Sequence, residues 1–332
     1  MDIRQKVTDD IIAAIENGTP PWRKGWTSGG LPFNASSGKA YSGVNLVILS
    51  MHPGAAADPR FLTFKQADHL GLKVRKGAKG VQIVKMVEVD QHKADREVQS
   101  GEGGAVLAED GRKALMLRAY TVFNAAQIEG MAPMPARQCD IEPAEAVEAI
   151  VWGLQDTGMK LNFGANQPAY SPRRDELLCP VASSFHSIED MHSTILHECA
   201  HASGHPKRLA RLHLDARFGS AEYAREELRA ELASAMMTGL IGLPLGPSMI
   251  ESHAAYLSSW LDVLRRDKTE IFRAAADAQK ICDYLSERAL SVSLTQQRNQ
   301  IRKDAREPAP PDAADMPSEP AINVVQRGVM PR

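Results

Sequence analysis

The sequence predicts an α+β protein that has a small mixed or antiparallel sheet followed by a mainly helical region. Up to about residue 123, short apolar runs are separated by glycines, which is typical of short strands and turns. From Pro143 onward, apolar residues recur at helical spacing over long segments. We therefore expect one domain over residues 1–130, a second over 143–292 and a disordered tail over 297–332.

The first region begins with a predicted amphipathic helix over residues 2–17, whose apolar residues recur at helical spacing. The two prolines that follow the helix predict an extended stretch. The apolar runs 44–49, 81–84 and 115–117 are the expected strands of the sheet. The polar, glycine-rich segment 90–113 predicts a long mobile connection of a hairpin.

The second region reads as a series of long helices with short strands between the first two. The helices are predicted over residues 143–157, 186–204, 220–240, 247–265 and 268–290. The strand-like pieces are 159–162 and 175–179. Beyond about residue 297 the chain has many prolines and charges but few large apolar residues, so it cannot offset the entropy of ordering.

Composition indicates a soluble cytoplasmic protein. The 332 residues carry a net charge of −2 and contain no run of about 18 apolar residues, which excludes a membrane-spanning helix. The first residues alternate charged and apolar side chains, unlike a signal peptide. The cysteines are scattered without a CxxC pair, which favours reduced thiols over a cysteine-bound zinc. They are Cys139, Cys179, Cys199 and Cys282.

A metal site is predicted on the helix that contains the sequence His197-Glu198-Cys199-Ala200-His201. Two histidines four residues apart place both imidazoles on one helical face, as two ligands of a tetrahedral zinc require. Glu198 follows the first ligand and can act as general base toward water that the metal activates. The sequence therefore predicts a zinc-dependent hydrolytic site of the metallopeptidase type.

The third ligand has several candidates. His205 would give the spacing HExxHxxxH, but it follows Gly204, which is expected to end the helix. The metzincin spacing fails because Lys207 stands where a third histidine is needed. Glu227, on a second predicted helix, is the favoured ligand, with Glu231 as its alternative. If Glu227 is the ligand, Glu231 lies one turn later and can orient a ligand histidine.

Other polar residues of the second region give weaker predictions. Glu226 and Arg229 are expected to point elsewhere, toward solvent. Segment 175–179 is the expected sheet edge along which a peptide would lie. A donor for a developing oxyanion is usual in zinc peptidases, but each candidate can equally be a packed helix residue. These candidates are Tyr223, His253 and Tyr256.

The first region has a local basic excess that suits a nucleic acid. Residues 20–85 contain ten basic and two acidic side chains, a net charge of +8. Basic residues can follow the phosphates of a single strand while aromatic rings stack on its bases, although such aromatics are also usual in a core. The interleaved aromatics are Trp22, Trp26, Phe33, Tyr41, Phe61 and Phe64. A glycine-containing turn over residues 74–80 presents several cations.

Short sequence motifs in both regions, found in the same order as in a known family, support a family resemblance over residues 3–290. In the first region they are residues 18–26, 32–34, 41–45, 63–67, 74–77 and 122–127; in the second they are 185–187, 197–201 with Gly204, 208–209 and 223–228. By these motifs the chain resembles the ArdC-type antirestriction proteins of conjugative plasmids. Its first half is similar to the N-terminal region of TraC-type plasmid primases. Cys199 departs from the leucine or isoleucine common in the family.

The resemblance implies a domain that binds single-stranded DNA joined to a metallopeptidase-like domain, which together shield incoming plasmid DNA from host restriction after conjugation. It implies one Zn²⁺, or another divalent metal such as Mn²⁺, held by His197, His201 and Glu227 with Glu198 as base. We expect a cytoplasmic protein. The resemblance also allows its transfer into the recipient cell together with the plasmid DNA. The candidate DNA contacts are Trp22, Arg23, Lys24, Trp26, Asn34, Tyr41, Asn45, Lys65, Arg75, Lys76 and Lys79.

Three functions remain open on the sequence. The first is an antirestriction protein that binds single-stranded DNA and carries the metal site. The second is a DNA-dependent protease that cleaves proteins bound to DNA. The third is a DNA-coating protein whose metal only holds helices together. The sequence identifies neither a protein target nor an oligomeric state.

Overall fold

The protein has a sheet-containing first region and a mainly helical second region, as the sequence predicts. A computed structural model describes residues 2–17, 20, 22, 30–90, 105–107, 113–134, 141–212, 219–243 and 254–304. Within that part of the chain, every helix is too short or too polar to cross a membrane.

The first region contains three helices and seven short or medium strands among its described residues. They are α1 (Ile3–Glu16), β1 (Phe33–Asn34), α2 (Val44–Ser50), β2 (Arg60–Thr63), α3 (Phe64–His69), β3 (Lys73–Val74), β4 (Val81–Asp90), β5 (Ala105–Leu107), β6 (Lys113–Asn124) and β7 (Ile128–Glu129). The predicted helix over 2–17 is confirmed by α1. The strand expected over 44–49 is wrong, because this run forms α2, a helix buried on most of its sides. Periodicity cannot separate a fully buried helix from a buried strand.

The main sheet is mixed. Its strands follow the order β1-β2-β6-β4, and β5 also pairs with β6. Only the β1–β2 pair is parallel among these described strands. The hairpin predicted around 90–113 is formed by β4 and β6, but most of its connection lies outside the described residues.

The second region contains the predicted helices and a small second sheet. Its elements are α4 (Pro143–Gln155), β8 (Lys160–Phe163), β9 (Ala169–Ser171), β10 (Glu176–Cys179), α5 (Ile188–Ser203), α6 (Ala221–Ile241), α7 (Ala254–Arg266) and α8 (Glu270–Asp304). The helix α8 runs beyond residue 290, its predicted end, into the expected tail. Residues 244–253 and 305–332 lie outside the described residues.

The small sheet has the order β8-β10-β9. Strand β10 lies in the centre, parallel to β8 and antiparallel to β9. The expectation that segment 175–179 forms the sheet edge is therefore wrong, and β9 is the edge strand next to the candidate site described below.

One hydrophobic core joins the two regions. Residues 1–292 form one compact unit, and α1 packs against α7. The Thr8 hydroxyl donates to the Lys268 carbonyl at 2.8 Å, and the Gly43 N–H donates to Gln279 Oε1 at 3.3 Å. The division predicted between residues 130 and 143 stays a prediction, and a continuous core crosses it. In the second unit, from residue 293, the described residues continue α8.

A buried ion pair fixes the turn between β9 and β10. Asp175 has a left-handed backbone with φ 50°, which aspartate tolerates better than most residues. The Arg208 side chain is fully buried and binds the Asp175 carboxylate through two nitrogens. The Tyr170 hydroxyl donates to the same carboxylate at 2.7 Å. Burial alone would raise the pKa of Asp175, but the bonds from Arg208 and Tyr170 outweigh it and lower the pKa.

Candidate metal centre and nucleic-acid surface

Helices α5 and α6 pack side by side and carry the candidate metal ligands. Ser187 caps the N-terminus of α5 by accepting a bond from the Asp190 N–H, and Ser220 caps α6 in the same way through Tyr223. The Ser234 hydroxyl of α6 reaches the Ser193 carbonyl of α5 at 3.4 Å. Small residues at this crossing allow a close approach, so side chains of the two helices converge.

His197, His201 and Glu227 form one cluster. The two Nε2 atoms of the histidines lie 3.2 Å apart. Each Nε2 lies 3.5 Å from an oxygen of Glu227, Oε2 for His197 and Oε1 for His201. Among the described residues, these three are the group of His, Cys, Asp and Glu residues whose ligand atoms all lie within 4.8 Å of one another.

The spacing of these atoms fits a small divalent metal. In a tetrahedral site with bonds of about 2.0–2.1 Å, neighbouring ligand atoms are separated by roughly 3.3–3.4 Å. The 3.2 Å between the two Nε2 atoms is close to that value, and each Nε2 lies 3.5 Å from a different oxygen of Glu227. Two imidazoles and one carboxylate with a further position left for water is also the donor set of catalytic zinc sites.

A carboxylate stands behind His201. Glu226 Oε1 lies 3.2 Å from His201 Nδ1, so the ring can donate to it while Nε2 faces the metal position. Arg211 binds both oxygens of Glu226, at 2.9 and 2.7 Å. The expectation that Glu226 points elsewhere, toward solvent, is therefore wrong. Gly204 leaves room for this arrangement, because a Cβ there would come within 2.9 Å of the Arg211 guanidinium.

A second carboxylate stands behind His197. Glu231 Oε2 lies 3.9 Å from His197 Nδ1, and Glu231 is 1% exposed. The role that the sequence predicts for Glu231, orienting a ligand histidine if Glu227 is the ligand, stays a prediction. Each candidate ligand histidine thus has a nearby carboxylate on α6. Glu226 lies within hydrogen-bond distance of His201, whereas the 3.9 Å between Glu231 and His197 is an electrostatic contact longer than a hydrogen bond. Carboxylates beside ligand histidines commonly orient the imidazole.

The candidate ligands lie among several charged groups. Burial opposes the charge of His201, but the bond to Glu226 and the nearby carboxylates of Glu227 and Glu198 raise the pKa of His201 to about 9. Burial also disfavours the ionised form of Glu227, yet its bond with His197 and the charge of His201 lower the pKa of Glu227 to about 2. The carboxylate is therefore ionised at neutral pH, as a metal ligand must be.

The ligands open onto a cleft of about 1040 Å³. Glu198 lines this cleft next to the ligands and is 8% exposed, so its carboxylate can take a proton from water there. A divalent metal in such a site acts as a Lewis acid and activates water. The edge strand β9 forms part of one wall, and Tyr223 and Tyr256 form part of another, with their hydroxyls 3.3 Å apart. His253 lies outside the described residues.

The other candidates of the second region lie elsewhere. His205 faces Asp175, with 3.8 Å between Nδ1 and Oδ2, and it is not part of the ligand cluster. Arg229 was expected to point to solvent, but it binds Glu270 at 2.8 Å and Asp277 at 2.9 Å on α8. Both residues therefore support packing around the site.

Four of the candidate DNA contacts are exposed in the first region: Lys65, Arg75, Lys76 and Lys79. The last three lie on a turn around Gly77, which has a left-handed φ of 82°. Helix α3, which carries Lys65, packs against β3, the strand that leads into this turn. Phe64 at the start of α3 is 60% exposed. A DNA-binding role for these residues stays a prediction.

Other candidate DNA contacts have structural partners. The Asn45 amide donates to the Val84 carbonyl at 2.7 Å and accepts from the Val84 N–H at 2.9 Å, which ties α2 to β4. The Asn34 amide donates to Gln66 Oε1 at 3.0 Å and to the Tyr41 hydroxyl at 3.3 Å. The Tyr41 ring packs against the ring of Phe61, edge to face. All three residues are half-buried.

Trp22 contradicts the expectation that its ring stacks on bases. The side chain is fully buried, and its indole N–H donates to Glu231 Oε1 at 3.3 Å. Arg23, Lys24 and Trp26 lie outside the described residues. The position of Trp22 could not be predicted, because basic residues surround it in the sequence and its partner lies 209 residues away.

Two histidines on one helix and a glutamate on the next define a zincin-like domain, and residues 145–277 match the family model described as a zincin-like metallopeptidase. Residues 1–123 match the model of the N-terminal domain of the anti-restriction factor ArdC. The fold is similar to that of the antirestriction ArdC protein of plasmid R388, solved with Mn(II) and metal-free. The Mn(II)-bound structure has a TM-score of 0.68 at 34% identity, covering 87% of this chain and 98% of that one.

The chain belongs to the ArdC antirestriction family. The protein y4eC of Sinorhizobium fredii is 37% identical over 309 residues, which cover 91% of this chain and 95% of y4eC. The DNA primase TraC of Escherichia coli is 37% identical over 316 residues, which cover 92% of this chain. This chain spans only 28% of the length of that primase. The zincin-like domain of the present chain, together with the Mn(II)-bound relative, indicates a divalent metal.

Proposed function

We propose that this protein binds single-stranded DNA and protects incoming plasmid DNA from host restriction during conjugation, and that His197, His201 and Glu227 hold one Zn²⁺ beside Glu198. The observation that supports the DNA-binding part is the exposed turn with Arg75, Lys76 and Lys79. This turn follows β3, which packs against α3, the helix that begins with the exposed ring of Phe64. Exposed cations and an exposed ring suit phosphates and unpaired bases. Membership of the antirestriction family supports the protective role.

The DNA-binding part predicts a defined salt dependence. In a variant with Arg75, Lys76 and Lys79 replaced by alanine, we expect weaker binding of a single-stranded oligonucleotide. Each phosphate contact on a single strand contributes about 0.7 to the slope of log affinity against log salt, so the slope should fall by about 2. Fluorescence anisotropy titrations at several salt concentrations measure it.

A second variant with the same change of charge serves as the control. Lys160, Lys207 and Lys280 are exposed residues of the second region, and their replacement by alanine should leave the slope unchanged. An equal loss of slope in both variants would mean that net charge, rather than this turn, binds the strand. An unchanged slope in the first variant would remove the turn from the binding surface.

A second candidate function is cleavage of proteins bound to DNA. The observation that favours it is the position of Glu198, which lines an open cleft beside the candidate ligands and next to the sheet edge β9. A peptide segment can pair with such an edge strand by backbone hydrogen bonds. In this case the metal centre would be catalytic rather than a structural site that holds two helices together.

Glu198→Gln distinguishes the two candidates. The substitution keeps the size of the side chain and leaves the three candidate ligands in place, so we expect unchanged metal content and DNA binding. Any hydrolysis that uses Glu198 as base should fall by about 10²–10⁴-fold. We expect this variant to protect transferred DNA as well as the wild type in a conjugation assay, because Glu198 does not touch the DNA-binding turn. Loss of protection at equal metal content would instead favour cleavage as the function.

A further inference from the structure

A residue of the first region reaches the back of the candidate metal centre. Trp22 is fully buried against Trp260 of α7, with 6.1 Å between ring centroids. Its indole N–H donates to Glu231 Oε1 at 3.3 Å. Trp22 lies within the segment that matches the N-terminal family model, whereas Glu231 lies within the zincin-like match. This hydrogen bond therefore connects the two family segments inside the core.

The same carboxylate leads to the candidate metal ligand. The other oxygen of Glu231 lies 3.9 Å from His197 Nδ1, and His197 Nε2 faces Glu227 at 3.5 Å. A carboxylate that is 1% exposed needs donors, because burial removes its water. An indole offers a donor and no acceptor. Trp22 can therefore hold Glu231 in place without competing with the metal for His197.

The two ligand histidines are supported by different parts of the chain. Glu226, behind His201, is held by Arg211, a charged side chain of the zincin-like segment itself. Glu231, behind His197, is held by a neutral donor that comes from the first region. The surroundings of His197 thus include a residue about 175 positions earlier in the sequence.

We propose that Trp22 is a positioning residue of the metal centre, which orients His197 through Glu231, so that residues outside the zincin-like segment complete the site. The inference rests on the metal-binding part of the proposed function. It implies that metal affinity depends on the indole N–H, although that N–H donates to Glu231 and not to a candidate ligand.

Trp22→Phe tests this proposal in the full-length protein. The substitution keeps an aromatic ring in the core and removes the N–H. Loss of a partner behind a metal ligand costs about 10–100-fold in affinity, and Trp22 acts one residue further back, so we expect a loss on the order of tenfold. Competition between the protein and a chromogenic chelator for Zn²⁺ measures it. The absorption spectrum of bound Co²⁺ should change as well, because the His197 ring is less firmly oriented.

Trp260→Phe is the matched control. Trp260 is equally buried and packs against Trp22, so this substitution perturbs the same part of the core. We expect its Zn²⁺ affinity to stay within about twofold of the wild type, since metal-site effects of this kind pass through Glu231. An equal loss of affinity in Trp22→Phe and Trp260→Phe would overturn the proposal in favour of a general packing effect.

Glu231→Gln completes the test and remains informative if Trp22→Phe does not fold. We expect Glu231→Gln to lose about 10–100-fold in Zn²⁺ affinity, and Trp22→Phe to add little in that background, because both act through one carboxylate. Unchanged affinity in Glu231→Gln, or a full additional loss in the double variant, would overturn the proposal. If the wild type itself bound no Zn²⁺, the metal-binding part of the proposed function would fail first.

Discussion

Replacing Glu227 with glutamine is expected to lower the affinity for Zn²⁺ by more than 100-fold. The carboxylate faces both imidazoles, with 3.5 Å between each Nε2 and one of its oxygens. An amide is similar in size but carries no charge, so it is a poor ligand for the metal. Replacing a residue that hydrogen-bonds to a ligand already lowers metal affinity by about 10–100-fold, and replacing the ligand itself lowers it more. Chelator competition with the full-length protein measures the change.

Glu222→Gln provides the comparison for this substitution. Glu222 lies on the same helix, about one turn before Glu227, and its side chain is 57% exposed. This variant should bind Zn²⁺ as the wild type does. Wild-type affinity in Glu227→Gln would instead mean that another carboxylate of α6, Glu226 or Glu231, is the third ligand.

Replacing Arg208 with methionine is expected to destabilise the protein by about 3–5 kcal/mol, which is typical when one partner of a buried ion pair is removed. The Arg208 side chain is fully buried, and that of Asp175 is 10% exposed. The guanidinium also donates to the Ala202 carbonyl at 2.6 Å and to the Tyr170 hydroxyl at 2.9 Å. Methionine fills part of the space but leaves the carboxylate buried without its cation. Urea unfolding followed by circular dichroism measures the loss.

Two further variants define how the pair acts. In the double variant Arg208→Met, Asp175→Asn, the loss of unfolding free energy should be smaller than the sum of the two single losses. The second substitution removes the buried carboxylate charge that the first leaves without Arg208. Arg174→Met removes a guanidinium that is 66% exposed from a pair with Glu176 at 3.0 Å and should change stability by about 1 kcal/mol or less. A comparable effect of Arg174→Met and Arg208→Met would show that burial does not set the contribution of Arg208.

The parts of the fold and site that depend on local spacing could be predicted from the sequence. The four-residue spacing of His197 and His201 places them on one face of α5 in any helix. The helices α1 and α4 to α6 follow from apolar periodicity and their flanking residues. Glu227 and Glu231 have the same spacing on α6, so placing one of them near the metal also places the other.

The parts that depend on packing between distant segments could not be predicted. Glu226 directly precedes Glu227, the candidate ligand, and only the packing of α5 against α6 brings it to His201 and Arg211. The run that forms α2 is apolar on nearly every side, so its spacing does not reveal a helix. Trp22 lies among basic residues in the sequence, and its burial depends on α6 and α7, more than 200 residues later.

The buried position of Trp22 has a consequence for modularity. A domain can be transplanted when it folds and works without its former neighbour. Here the first segment contributes to the core around α7 and supplies a donor to Glu231. A chimera that joined this zincin-like segment to an unrelated leading segment would lose both contributions at once. We therefore expect the zincin-like segment not to behave as an independent module.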